Sequence, residues 1–114
     1  MSPITTHVLD TALGRPAEGI AVVLELANPE ERWTELAHGL TDADGRIGSL
    51  LPDGAILARG TYRLRFATAA YFAALGVSAF YPEVVVLFRI DDPAGHFHLP
   101  LLLSPFAYST YRGS

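Results

Sequence analysis

Turn-forming residues interrupt this chain about every ten residues, and this spacing limits its possible folds more than any other feature. Glycine and aspartate tolerate the left-handed backbone of tight turns, and proline presets the angle φ. The turn signals lie at residues 14–16, 28–29, 42–45, 52–54, 60 and 91–95. Such spacing is typical of a β-sandwich or barrel built from short strands.

Between the turns, apolar residues recur at every second position, as expected for half-buried strands. Residues 19–27 and 61–67 follow this alternation. Residues 83–91 differ because both faces are apolar, which indicates a strand that a loop or another chain also covers. The predicted strands span residues 4–10, 19–27, 32–40, 46–50, 60–67, 83–91, 97–104 and 106–112.

The alanine-rich stretch 68–75 interrupts the alternation and predicts a helix of about two turns. Thr68 is the expected N-cap, and Gly76 is the expected stop. The pattern as a whole predicts an all-β fold, a two-sheet sandwich of about eight strands with one short helix. With 114 residues, the chain is expected to form a single domain over residues 1–114.

Composition excludes several classes of protein. Hydrophobic residues make up 50% of the chain and charged residues 18%, which argues against disorder. The absence of cysteine excludes disulfides, thiolate nucleophiles and cysteine-bound zinc. The basic residues are all arginine, and the net charge of −4 argues against a nucleic-acid or anionic-membrane partner.

The distribution of apolar residues predicts whether the chain spans a membrane, carries a secretory signal or associates with other subunits. No apolar run reaches the ~18 residues of a membrane-spanning helix. The first residues lack a basic region followed by an apolar stretch, so we expect no secretory signal and a cytoplasmic protein. The mean hydropathy of +0.27 is high for a small monomer, which predicts that other subunits cover part of the surface.

Four histidines are the main candidates for proton transfer or metal binding. Alternation places His7 on the same strand face as Thr5. His96 and His98 form an H-x-H pair that resembles a metal chelate, but the spacing specifies no third ligand. His96 follows a glycine and is equally compatible with a turn, and His38 lies in a polar segment typical of a surface strand.

The segment 104–114 is unusually rich in aromatic, hydroxyl and guanidinium groups for the end of a chain, where residues normally fray. In an extended conformation, Tyr108, Thr110 and Arg112 share one face. Two interpretations stay open, a docked segment whose polar groups face a site and a plain edge strand. Motifs for a serine nucleophile elbow and for a glycine-rich phosphate loop are absent from the sequence.

Several short motifs are distinctive. They are His-Val-Leu-Asp at 7–10 with Gly-Arg-Pro-Ala at 14–17, Asp-Gly-Arg at 44–46, the run 98–105, and Tyr-Arg-Gly-Ser at 111–114. Together they resemble the 5-hydroxyisourate hydrolases, the enzyme branch of the transthyretin-like family. The resemblance covers nearly the whole chain. Its most specific element is the last tetrapeptide, because transthyretin, a hormone carrier on the same fold, does not end in it.

The resemblance implies a transthyretin-like sandwich and a homotetramer, a dimer of dimers with active sites in the channel between the dimers. It also implies hydrolysis of 5-hydroxyisourate to 2-oxo-4-hydroxy-4-carboxy-5-ureidoimidazoline in urate degradation, without metal or cofactor. Carried over by position, the catalytic residues are His7, Arg46 and His98, and the substrate-binding residues are Tyr111, Arg112, Gly113 and Ser114.

These residue types suit the hydrolysis of a cyclic amide. A neutral imidazole can take a proton from water, and the planar fork of an arginine suits carbonyl and oxyanion oxygens. The spacing does not decide which histidine is the base. Two other functions stay open, a non-catalytic small-ligand binding protein of the transthyretin type and a structural interaction domain.

Overall fold

The computed structural model describes residues 2–30 and 32–114, which form eight strands and one helix. The elements are β1 (Ile4–Asp10), β2 (Arg15–Pro16), β3 (Ala21–Ala27), β4 (Trp33–Leu40), β5 (Gly60–Phe66), α1 (Thr68–Ala74), β6 (Val84–Ile90), β7 (Phe97–Leu103) and β8 (Tyr108–Thr110). This content confirms the predicted all-β sandwich of about eight strands with one short helix.

The strands form two four-stranded sheets. The first sheet has the order β2-β1-β7-β8, and the second has the order β4-β3-β5-β6. Strands β1 and β7 run parallel, so the chain passes through the whole second sheet between them. This parallel pairing places residues from the two ends of the sequence side by side.

The inward faces of both sheets form the hydrophobic core. Along β1 each buried residue is followed by a half-buried one, as a strand with one covered face requires. The large buried side chains Tyr62, Phe66 and Leu101 fill the space between the sheets. Because Ile4, Thr6 and Val8 are buried on the inward face, Thr5 and His7 between them point outward.

The aspartate of the His-Val-Leu-Asp motif has a structural role at the end of β1. Asp10 is 1% exposed, and its Oδ1 accepts hydrogen bonds from the backbone N–H groups of Ala12 and Leu13. The hydroxyl of Tyr71 on α1 donates to Asp10 Oδ2 at 2.7 Å. Burial and this contact raise the pKa of Tyr71 to about 12, so the phenol stays protonated and ties the helix to β1.

The predicted strand at 46–50 is wrong. Arg46 forms an isolated bridge with His7, and the following residues enter turns. Ile47 and Leu50 are buried because they cover the core, which reproduces an apolar pattern without strand pairing. The first sheet instead gains β2, which lies within the predicted turn 14–16 and pairs with the end of β1.

The ends of two other elements also differ from the predictions. The expected cap at Thr68 is wrong, since Ala67 is the N-cap and the buried Thr68 Oγ1 has no hydrogen-bond partner within residues 2–30 and 32–114. Gly76, with φ of 72°, follows the helix and confirms the expected stop. Strand β8 is shorter than the predicted 106–112.

Strand β6 is apolar on both faces, as the sequence predicts, but only one face is covered. Val84 and Val86 are buried, whereas Val85 and Leu87 on the outer face are 39% and 63% exposed. The described part of the chain therefore supplies no second cover for this strand. Within that same part, no helix is long and apolar enough to cross a membrane.

Candidate functional site

The pairing of β1 with β7 brings two histidines together on the outward face of the first sheet. The parallel register sets Thr5 opposite His98 and His7 opposite Pro100. His7 and His98 are both half-buried, between neighbours that point into the core. The imidazoles are therefore close in space although they lie near opposite ends of the sequence.

Arg46 reaches this face on a tight turn over residues 42–46. The carboxylate of Asp42 accepts hydrogen bonds from the backbone N–H groups of Asp44 and Arg46 at 2.9 and 3.0 Å. The carbonyl of Gly45 accepts a hydrogen bond of 2.8 Å from the backbone N–H of Val8. This contact docks the turn on β1 and makes Arg46 the bridge partner of His7.

Gly45 is the residue that allows this docking. Its φ of +75° lies in the left-handed region, where side chains with a Cβ are strained. A Cβ at this position would also collide with the carbonyl oxygen of Val8. The Asp-Gly-Arg motif is therefore explained by a close approach between two backbone segments.

The segment after β8 returns to His98. The backbone N–H of Gly113 donates to the carbonyl of His98 at 2.8 Å, and the two residues form an isolated bridge. A Cβ on Gly113 would lie 2.6 Å from Cδ2 of the His98 ring and 3.3 Å from Cγ of Pro100. The glycine thus lets the backbone pack directly against the imidazole.

The other residues of the tetrapeptide 111–114 are more exposed to solvent than Gly113. Tyr111 is 58% exposed, and Arg112 and Ser114 are exposed as well. Tyr111 and Arg112 line a cavity of about 210 Å³ between the edges of the two sheets, and the Arg112 guanidinium lies 4.7 Å from the ring centre of Phe97. Among the described residues of one chain, Gly113 is the member of the tetrapeptide that contacts His98.

The pKa of His98 is lowered by its position in this cluster. Burial is the largest cause of its lowered pKa, and the charges of His7, His96 and Arg46 lower it further. A hydrogen bond with the backbone of Thr5 acts in the opposite direction. His98 is therefore a neutral imidazole at neutral pH, which is the form that can accept a proton.

Sequence reasoning did not place Thr5 in this cluster. The hydroxyl of Thr5 lies 2.8 Å from His98 Nδ1 and 3.5 Å from His96 Nε2. The alternation of β1 puts Thr5 on the same face as His7, and this was the signal available in the sequence. The contact of Thr5 with His98 depends on the register between β1 and β7, which the sequence does not show. His96 lies outside β7 and is exposed, in agreement with the turn interpretation.

The structure also shows where His38 lies and whether the described side chains could bind a metal ion. His38 is exposed on β4 of the second sheet, where it contacts Glu35 at 3.0 Å, as expected for a surface residue. Among residues 2–30 and 32–114, no group of three or more histidine, aspartate or glutamate side chains is arranged to hold a metal ion. The cluster is thus rich in imidazole and guanidinium groups, and His7, Arg46 and His98 are its candidate functional side chains.

This arrangement can move protons and stabilise negative charge. A neutral imidazole can act as a general base, a second imidazole can donate or accept, and a nearby guanidinium can bind an oxyanion. Those are the needs of a hydrolysis in which water attacks a carbonyl group.

Comparison with known proteins places the chain in a family. Residues 4–113 match the HIUase/Transthyretin family. The 5-hydroxyisourate hydrolase of Mus musculus is 49% identical over 114 residues, which cover 99% of this chain and 96% of that protein. The structure of Klebsiella pneumoniae 5-hydroxyisourate hydrolase has a TM-score of 0.84 and 40% identity, covering 97% of this chain and 98% of that one.

The carrier branch matches the fold equally well. Sea bream transthyretin in complex with thyroxine has a TM-score of 0.91 and 35% identity, covering 98% of this chain and 95% of that chain. The fold alone therefore does not separate hydrolase from carrier. The matches over nearly the full length show that this chain belongs to the HIUase/Transthyretin family.

Proposed function

We propose that this protein is a hydrolase that opens the ring of 5-hydroxyisourate, giving 2-oxo-4-hydroxy-4-carboxy-5-ureidoimidazoline in urate degradation. The observation that carries the proposal is the cluster of His7, Arg46 and His98 on the outward face of the first sheet. The relatives and the solved structure named 5-hydroxyisourate hydrolase support it. Each subunit contributes these side chains from the single domain 1–114.

The chemistry follows from these three side chains. One imidazole takes a proton from water as the water oxygen bonds to the ring carbonyl carbon. The guanidinium of Arg46 donates hydrogen bonds to the oxyanion that develops on the carbonyl oxygen. When the carbon–nitrogen bond breaks, an imidazolium returns a proton to the departing ring nitrogen, and the carboxylic acid that remains loses its proton to water to give the carboxylate. No step calls for a metal or another cofactor.

The tetrapeptide completes the pocket in the proposed assembly. His7 and His98 lie on an outward sheet face, so a single chain provides only one wall and cannot exclude bulk water from the reaction. A homotetramer built as a dimer of dimers provides the facing wall in the channel between the dimers. In that channel Tyr111, Arg112, Gly113 and Ser114 bind the substrate, a flat and polar molecule with many hydrogen-bonding groups.

A direct assay tests the function. 5-Hydroxyisourate is made fresh from urate with urate oxidase, and its ultraviolet decay is followed with and without the protein. We expect the decay to accelerate strongly. Loss of a general base typically costs ~100- to 10,000-fold, so His98→Ala should fall by that order while the exposed His38→Ala keeps the parent rate. A decay no faster than in buffer overturns the proposal.

The carrier function is the second candidate, supported by the similarity to thyroxine-bound transthyretin. A carrier of apolar ligands gains nothing from two imidazoles and a guanidinium at the centre of its site, so the cluster favours the hydrolase. Binding of thyroxine without any acceleration of 5-hydroxyisourate decay would favour the carrier instead. The cytoplasmic location expected from the sequence stays a prediction.

A further inference from the structure

The hydroxyl of Thr5 is a strong polar contact of His98 that the proposed reaction does not use. Its Oγ1 lies 2.8 Å from His98 Nδ1, an ordinary hydrogen-bond length, across the parallel pair β1–β7. The same oxygen lies 3.5 Å from His96 Nε2, which is a much weaker contact. Thr5 therefore stands between two imidazoles and is bonded mainly to one of them.

This contact matters because a neutral imidazole has two unlike nitrogens. One carries the proton and donates, and the other has a lone pair and accepts. A group that accepts a hydrogen bond at Nδ1 places the proton there and leaves the lone pair on Nε2. A group that donates to Nδ1 has the opposite effect, because Nε2 then carries the proton and cannot take one from water.

The surroundings of Thr5 favour the first arrangement. If the hydroxyl oxygen accepts the N–H of His98 Nδ1, the hydroxyl proton is free to point toward His96 Nε2. In this arrangement one hydroxyl serves both imidazoles, as the acceptor for His98 Nδ1 and as a donor toward His96 Nε2.

We propose that Thr5 is a positioning residue that holds neutral His98 in the tautomer protonated at Nδ1, so that Nε2 accepts the proton of the attacking water. The inference rests on the proposed function and deepens it, because it assigns the base to His98. The balance of the step is unchanged. The water oxygen bonds to the carbonyl carbon, its proton goes to Nε2, and that proton leaves with the ring nitrogen when the carbon–nitrogen bond breaks.

The tautomer can be measured without any substrate. Long-range ¹H–¹⁵N correlation spectra of the ¹⁵N-labelled full chain distinguish a protonated ring nitrogen from one with a lone pair. The His98 signals are assigned by their loss in His98→Gln.

At a pH above the pKa of His98, we expect Nδ1 to be protonated and Nε2 to carry the lone pair. Thr5→Val, which keeps the shape of the side chain but removes the hydroxyl, should shift the population toward protonated Nε2, and Thr5→Ser should restore it.

Kinetics test the same role in the reaction. We expect kcat of Thr5→Val to fall about tenfold with little change in KM, because one hydrogen bond that selects the active tautomer is lost. Thr5→Ser should recover most of the rate, and the control Thr61→Val, on the outward face of β5 in the second sheet, should match the parent.

The outcomes separate this inference from the proposed function. A parent protein with Nε2 protonated, or spectra that do not change in Thr5→Val, overturns the inference even if the hydrolase is fully active. A normal kcat in Thr5→Val also overturns it. A parent without hydrolase activity defeats the proposed function, and the spectra then still decide whether Thr5 sets the tautomer.

Discussion

At the scale of single residues, the environment of His98 determines its protonation. Burial and the charges of His7, His96 and Arg46 lower its pKa, and the imidazole therefore stays neutral down to a more acidic pH than an isolated histidine. A neutral base is active above its pKa and is lost as the pH falls through it. The surroundings of His98 thus extend the pH range in which this base is neutral toward acid.

The first prediction concerns this pH dependence. We expect the acid limb of kcat/KM to fall below the ordinary histidine pKa of ~6.5, because the free enzyme needs neutral His98. Arg46→Gln removes one cation and should raise the pKa of His98, measured by NMR titration of its ring protons. An unchanged titration in Arg46→Gln would contradict a close contact between the two side chains.

Gly113 gives a second prediction at this scale. In Gly113→Ala the new Cβ would meet the His98 ring at 2.6 Å, so either the ring or the last residues must move. We expect kcat/KM to fall by at least tenfold while the thermal unfolding temperature changes little. Gly48→Ala is the matched control, because a Cβ at Gly48 meets nothing within 4 Å, and it should keep the parent rate.

At the scale of elements, one turn and one strand pair carry the site. A turn at 42–45 was predicted from its Asp-Ala-Asp-Gly sequence, and the structure shows that it docks on β1 and brings Arg46 beside His7. The predicted bounds of strand β1, residues 4–10, match the structure, since its alternation is strict. Residues 46–50 were misassigned because buried loop residues such as Ile47 and Leu50 repeat the apolar signal of a strand.

The docked turn gives the third prediction. Gly45→Ala should lower the free energy of unfolding by more than the ~1–2 kcal/mol that a left-handed conformation costs a residue with a Cβ, because it also collides with β1. It should also displace Arg46 and reduce kcat/KM. Gly14→Ala controls for strain, since Gly14 has φ of +69° and open space around it. Equal unfolding free energies in urea for the two variants would refute the docking argument.

At the scale of the whole molecule, the chain leaves apolar side chains and strand edges exposed on its surface. The outward face of β6 exposes Leu87, and β6 and β8 are each one of the two edge strands of their sheets. Free edges and exposed apolar residues on a small protein favour association with further strands. The hydropathy of the sequence points to the same conclusion.

The last prediction is therefore the assembly. Light scattering should give a mass about four times the 12.3 kDa of one chain, with specific activity falling on dilution to concentrations where the tetramer dissociates. A monomer with full activity at the assay concentration would show that one chain suffices, which would remove the need for a channel between dimers.

The amino-acid sequence by itself determined the local features of this protein. Turn residues, alternation and the alanine-rich stretch depend on neighbours along the chain, so they predict the class of fold, most strands and the end of α1 at Gly76. The motifs also predicted the candidate residues His7, Arg46 and His98, through the resemblance to a family.

Only the tertiary structure decided which of these residues meet and how. Thr5 and His98 are 93 positions apart, and their contact exists because β1 and β7 pair in parallel with one particular register. The approach of Gly45 to Val8 and of Gly113 to the His98 ring likewise depends on the order of strands in the sheet. Such contacts are set by the packing of distant segments, and no local periodicity encodes that packing.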